Sequence, residues 1–262
     1  MSMDIRLKIV GVVVVAGAMM LSAAPALAGT GHGAKPVTCA GGEIVSGSYS
    51  DITVTGACSV PSGAVITVSG SITLKKGAVL DAQSAPSTIT VGRNVNSVSG
   101  ALLGLGCQPA SLVGNSGHEC MVDPTGHSTI TVNGDVTAVN TGTLLLNGIT
   151  VRGNVSALGG GSEIPWSIKN NTITRNVSLV GQTTNWVGIL FNKIGANLTL
   201  LKIAVTDTDP GAHGAFVVQN NVGKNLSCFA VTPTVTGGLF PGEPLNVVGG
   251  RALGQCAALA AS

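Results

Sequence analysis

Residues 170–180 read NNTITRNVSLV, and two Asn-x-Ser/Thr triplets fall within that stretch, at Asn170 and Asn176. The same triplet recurs at Asn154, Asn197 and Asn225. Either these asparagines accept glycans, or they mark a structural period. The neighbouring residues favour the period. Around Asn176 the unit is ITRNVS: an apolar residue, two turn residues, Asn, a second apolar residue and a hydroxyl. Laid against itself, the chain repeats it as VGRNVN from Val91, VNGDVT from Val132, VRGNVS from Val151, IGANLT from Ile194 and VGKNLS from Val222. A degenerate VGGRAL follows from Val248, while VSGSYS from Val45 and VSGSIT from Val68 fit with serine in place of asparagine. The leading residues lie 23, 23, 41, 19, 22, 21, 28 and 26 apart. The spacing of 41 reads as two units with an irregular one between them.

Short Val/Ile/Thr segments repeating every ~22 residues, punctuated by Gly and Asn, are the signature of a β-solenoid. No single unit can bury its own apolar face, so coils stack at the inter-strand spacing of roughly 4.8 Å. About ten coils then make a rod roughly 45 Å long by that spacing. A β-sandwich would place strands every ~8–12 residues without a persistent register. The register persists, which favours the solenoid. Helical period is absent after the leader, apart from residues 252–261.

The ends place the protein. Arg6 and Lys8 precede an apolar run, IVGVVVVAGAMML at residues 9–21, and Ala26-Leu27-Ala28 has the small-x-small form of a cleavage site. Residues 1–28 therefore read as a signal peptide cut near Ala28–Gly29, giving a secreted protein with no membrane segment after cleavage. Residues 29–38, with a GHG at 31–33, read as a disordered leader, 39–256 as the β-helix domain and 257–262 as a tail. Charged residues make up 9% of the chain, against about 25% in a typical domain. The whole chain carries 13 basic and 11 acidic residues, and removing Asp4, Arg6 and Lys8 leaves 11 and 10. So balanced a surface gives no footprint for nucleic acid or anionic lipid.

Six cysteines, Cys39, Cys58, Cys107, Cys120, Cys228 and Cys256, all follow the leader. An even number in an oxidising compartment favours disulfides, and six permit about 15 pairings. The sequential pairing is favoured because each neighbouring pair closes a short loop. Cys39 with Cys58 would then pin the first coil and Cys228 with Cys256 the last, with residues 232–244 crossing the end as a Pro/Gly-rich loop. No CxxC spacing suggests a zinc or redox centre.

The repeat from about Val45 to Cys256 resembles the right-handed parallel β-helix proteins, the fold of the pectate lyases. It also resembles an uncharacterised group of actinobacterial exported proteins with GNV/GNL units and a closing GQC. That resemblance implies an asparagine ladder, with amides stacked at one turn and bonded to the coils above and below. Its members here would be Asn94, Asp135, Asn154, Asn176, Asn197 and Asn225, with Ser48 and Ser71 at the start and Asp135 as the exception. A second file would hold Asn171, Asn192, Asn220 and Asn246. Asn has the right chemistry for such a place, because it tolerates left-handed turns and carries both donors and an acceptor. Asn170, outside both files, remains the one plausible glycan acceptor.

Other candidates are fewer. In TDTDPGAHG, residues 206–214, Asp207 and Asp209 could offer oxygens to Ca2+, with His213 beside them, and DPTGH at 123–127 is similar. The plainer reading is a turn with Asp and Pro at its corners. Polysaccharide lyases and hydrolases of this fold set several acids beside Arg or Lys on adjacent coils. Here Arg93, Arg152, Arg175, Lys193 and Lys224 sit near the repeat turn at different register positions, with no acidic trio among them. Thr67, Thr90, Thr131, Thr150 and Thr172 share one register, a flat rank of the kind that orders ice-like water. Trp166 and Trp186, about one coil apart, could form a platform for a glycan. The expectation is a secreted, non-catalytic β-helix with a structural or cell-surface glycan-binding role. A polysaccharide lyase or hydrolase and an ice-binding protein are the alternatives.

Overall fold

A computed structural model describes residues 34–209, 214–237 and 244–261. The expected signal peptide 1–28, residues 29–33 of the expected leader, His213, residues 238–243 of the expected end loop and Ser262 lie outside the described residues. From Ala34 onward the chain forms one compact unit. It is a β-solenoid of parallel strands, each paired with strands one coil before and after it.

Each full coil contributes three strands, and so the unit has three faces. The asparagine face follows the repeat turn. There residues 37–39, 52–54, Ile72–Leu74, Val95–Val98, Val136–Val139, Val155–Leu158, Val177–Val180, Leu198–Leu201, Leu226–Phe229 and Ala252–Gly254 pair in that order, ten levels in all. The groove face comes next, through Val79–Ala82, Leu102–Leu105, Thr143–Asn147, Trp166–Lys169, Val187–Leu190, Ala215–Val218 and Val235–Thr236. The threonine face closes the coil with Val65–Val68, Thr88–Val91, Thr129–Val132, Thr150–Val151, Thr172–Ile173, Lys193–Ile194, Asn221–Val222 and Val247–Val248.

Period-two alternation builds the core. In NVSLV, Val177 and Leu179 point inward while Ser178 and Val180 point out. Stacking then sets like on like: Ile72, Val95, Val136, Val155, Val177, Leu198 and Leu226 form one buried column. The corners need special backbones. Asn140, Asn170, Phe191, Lys202, Gln219 and Ala230 are left-handed without being glycine. At the repeat turn glycine serves close approach instead: a Cβ on Gly92 or Gly195 would run into a carbonyl oxygen of the preceding coil.

Five expectations are corrected. Val91 pairs directly with Val132, so the spacing of 41 is one coil with an excursion at residues 107–128 and not two units. Lys35–Glu43 is already a strand paired with Gly47–Ser59, so residues 35–38 belong to the first coil and not to a leader. Its apolar Val37 and Cys39 find the 52–54 strand as a partner, which orders them. Ser48 pairs with Thr67 on the threonine face and does not begin the asparagine file. Tyr49, not Val45, stands opposite Val68, which moves the start of the file to Asp51. Part of the expected end loop is strand, since Val235 and Thr236 pair with Ala215 and Phe216. Finally, the tail is docked: residues 257–259 form a short 3-10 turn and Leu259 packs on the core.

The disulfides are Cys39–Cys58, Cys107–Cys120 and Cys228–Cys256, the sequential pairing. The first and third staple the end coils and the second closes the excursion. Among the described residues no helix is long and apolar enough to cross a membrane.

Candidate functional site

The repeat asparagines form two files. Along the repeat turn, each backbone N–H donates to the side-chain oxygen of the preceding coil: Ser71 to Asp51, Asn94 to Ser71, Asp135 to Asn94, Asn154 to Asp135, Asn176 to Asn154, Asn197 to Asn176, Asn225 to Asn197 and finally Arg251 to Asn225. The side-chain amides of Asn154, Asn176 and Asn197 donate to the same oxygens, at 2.9–3.0 Å. In the second file the polarity reverses. Asn171 donates forward to Asn192, Asn192 to Asn220 and Asn220 to Asn246, each through both backbone and side-chain nitrogens. Their second side-chain hydrogens reach Leu146, Ile168 and Ile189 carbonyls, and Asn246 is closed off by the Leu259 carbonyl. These four are at most 1% exposed, so every amide group must be satisfied internally.

These contacts account for most of the triplets. Ser or Thr follows two residues after the file asparagine because that position faces out on the asparagine face. Asn170 does not behave as a free acceptor site either. It holds a left-handed corner, and its side chain donates to the Ser116 carbonyl while accepting from the Ser116 hydroxyl.

The tryptophan platform is not formed. Trp166 pairs with Val187, not Trp186, and a slip of one residue sends neighbouring side chains to opposite faces. Trp166 is 1% exposed in the core, its indole N–H donating to the Gly142 carbonyl. Trp186 lies outside, over Gly188, with its ring centroid 5.4 Å from that of Phe216. Asp207 accepts the Asp209 N–H at 2.9 Å, the geometry of an Asx turn. Asp123 does the same for Thr125 and Gly126. Among the described residues no three His, Cys, Asp or Glu side chains converge as metal ligands. Of the basic residues, Arg93, Arg175 and Lys224 share one column of the repeat turn, interleaved with Gly134, Gly153 and Ala196.

A concave site appears on the groove face. The outward column there runs Asp81, Gly104, Leu145, Ser167, Gly188 and Phe216. Glycine at 104 lowers the floor and leaves an open depression of about 200 Å3 lined by Asp81, Gln83, Ser84, Leu102, Leu145 and Ile164. Its walls are braced. Asp81 accepts the N–H groups of Gln83 and Ser84, Ser84 accepts Val122 N–H from the excursion, and the Thr143 and Ser162 hydroxyls bond at 3.0 Å. The Gln83 amide oxygen is held by Asn147. Further along the same face the partly exposed Trp186 packs against Phe216, which is itself buried, so of the two only the Trp186 ring presents a surface.

Beside this groove the excursion is fastened by polar contacts. Lys169 Nζ donates to the Gly117 carbonyl at 2.8 Å, and burial lowers its pKa. Burial first, then Lys169, lowers the His118 pKa to about 4, with Asp81 opposing. Sequence reasoning missed the whole groove. The one signal was Gly104 inside the strand LLGL, since glycine within a strand marks a close approach or a gap. No family model, curated protein or solved structure matches the chain.

Proposed function

We propose that this is a secreted, non-catalytic β-helix module that binds an extended polysaccharide along the groove face. The carrying observation is the Gly104 depression, with Asp81, Gln83 and Ser84 beside apolar Leu102, Leu145 and Ile164. Sugars present hydroxyls and an apolar ring face together, and this mixture suits both. Trp186, held against the buried Phe216, extends the same face by one partly exposed ring. Asp81 is occupied as a turn acceptor, which suits a positioning role better than acid–base work. Three disulfides fit an oxidising, extracellular setting, and the basic–apolar–AxA leader accounts for export. Retention of the protein on insoluble wall and plant polysaccharides, followed by analysis of soluble products, tests this. Retention without released sugar is expected, and eliminative or hydrolytic products would make it an enzyme. A chain retained on none of them loses the reading.

A second reading rests on the threonine face. Thr67, Thr90, Thr131, Thr150 and Thr172 stand in register, with Thr88 and Thr129 in a neighbouring column. Lys193 and Asn221 end the rank. Ice recrystallisation inhibition that disappears in Thr131→Lys would favour this reading, and inhibition that ignores the substitution would reject it.

A further inference from the structure

The asparagine face carries an apolar column that neither reading uses. Val98, Val139, Leu158, Val180, Leu201 and Phe229 stand opposite one another in consecutive coils, all on outward positions. Leu158 is 58%, Phe229 47% and Val139 37% exposed. Two residues earlier runs a parallel column of Asn96, Thr137, Ser156, Ser178, Thr199 and Ser227. Neither column contains a charged residue. Single exposed apolar residues need no explanation, but a contiguous stripe marks a contact surface.

We propose that this face joins two copies of the chain as an antiparallel dimer. A twofold axis along the strands lays apolar column on apolar column and hydroxyl on hydroxyl. An axis along the coils can keep only one of the two columns on itself: centred on the hydroxyl column, it sets the apolar column against the asparagine file. The antiparallel axis passes between Leu158 and Val180, so Leu158 meets the partner's Val180, Val139 the partner's Leu201 and Val98 the partner's Phe229. Each pair sets a valine against a larger side chain, so the stripe is complementary to its own reverse. No charge is buried in the pairing, which removes the main cost of closing a polar rim over it. Six levels at about 4.8 Å, each three to four residues wide, bury roughly 600–800 Å2 in total. That is below the roughly 1,000 Å2 of a stable specific pair, so the dimer is a weak, reversible one.

Sedimentation equilibrium of the purified protein should show a monomer–dimer equilibrium, and Leu158→Lys should weaken it by at least about tenfold through an unpaired charge. Leu158 is exposed in the single chain, so an unchanged thermal midpoint is expected at protein concentrations low enough for both forms to be monomeric. The pair Val139→Cys with Leu201→Cys should give a disulfide-linked dimer on a non-reducing gel, whereas Val139→Cys alone should not, because it does not face itself. A chain still monomeric at roughly 1 mM, the limit of a weak specific contact, overturns the proposal. So does a dimer indifferent to Leu158→Lys, or one whose double-cysteine form stays uncrosslinked. A monomer that loses polysaccharide retention on Leu158→Lys would assign this face to that ligand and likewise overturn the dimer.

Discussion

Asp135 occupies an asparagine position and performs half of an asparagine's role. Its Oδ1 accepts the Asn154 backbone and side-chain N–H groups, at 2.6 and 3.0 Å. It offers no amide hydrogen to Asn94, whose Oδ1 receives only the Asp135 backbone N–H. Asp135→Asn adds that missing donor while keeping both acceptor contacts. It also makes a charged acceptor neutral, trading two bonds of about 1.5–3 kcal/mol for three of about 0.5–1.5, so urea denaturation should show no gain and a loss of up to about 1.5 kcal/mol. His118 supplies a second test at this scale. Its folded pKa of about 4 lies below the ordinary imidazole value of 6.5, so the unfolded chain binds the proton more readily. The stability contributed by neutral His118 is complete above pH 6.5 and is lost as the pH falls through about 4. Lys169 and Asp81 are the charged groups acting on it, and Lys169 is the one that disfavours protonation. Denaturation midpoints between pH 7.5 and 4 should fall in the wild type and flatten in His118→Gln.

The two asparagine files differ in the elements they serve. The second lies at a corner between the groove and threonine faces, where no water can replace a lost bond. Asn192→Ala leaves the Ile168 carbonyl, both Asn171 nitrogens and the Asn220 side-chain oxygen short of a partner. Several unsatisfied buried groups together should cost about 3 kcal/mol or more. Asn176→Ala, in the half-exposed file, should cost about 1 kcal/mol because solvent reaches its neighbours. Equal losses in the two variants, measured by chemical denaturation, would contradict the assignment of burial to the files. The strands themselves were readable in the residues, because Val, Ile and Leu alternate with Ser and Thr at a fixed interval. What escaped was any feature depending on the exact register of one coil on the next. Trp186 looked equivalent to Trp166 but pairs one position away. Ser48 looked equivalent to Ser71, yet Tyr49 takes the leading position. The groove was hidden for another reason: its lining comes from separate segments about 20 residues apart or more along the chain, and only coil stacking brings Asp81, Gly104 and Leu145 together.

At the scale of the molecule, a solenoid is stabilised by nearest-neighbour contacts, so its ends open before its middle. The Cys228–Cys256 bond and the Leu259 contact with Asn246 oppose that opening at the last coil. Replacing both cysteines by serine should raise amide exchange at Val247–Val248 and Ala252–Gly254 while leaving Val136–Val139 protected. Rapid exchange throughout would mean that the coils are not locally coupled. The groove face belongs to this scale too, since its column from Asp81 to Phe216 spans six coils, about 24 Å at the strand spacing. Titration calorimetry with soluble oligosaccharides of increasing length, taken from whichever polysaccharide retains the protein, tests the functional account most directly. Affinity should rise with chain length until the groove is filled, and Gly104→Val, which fills the depression, should abolish binding of the shortest ligand first. Affinity independent of length, or undiminished in both Gly104→Val and Trp186→Ala, would contradict binding along this face.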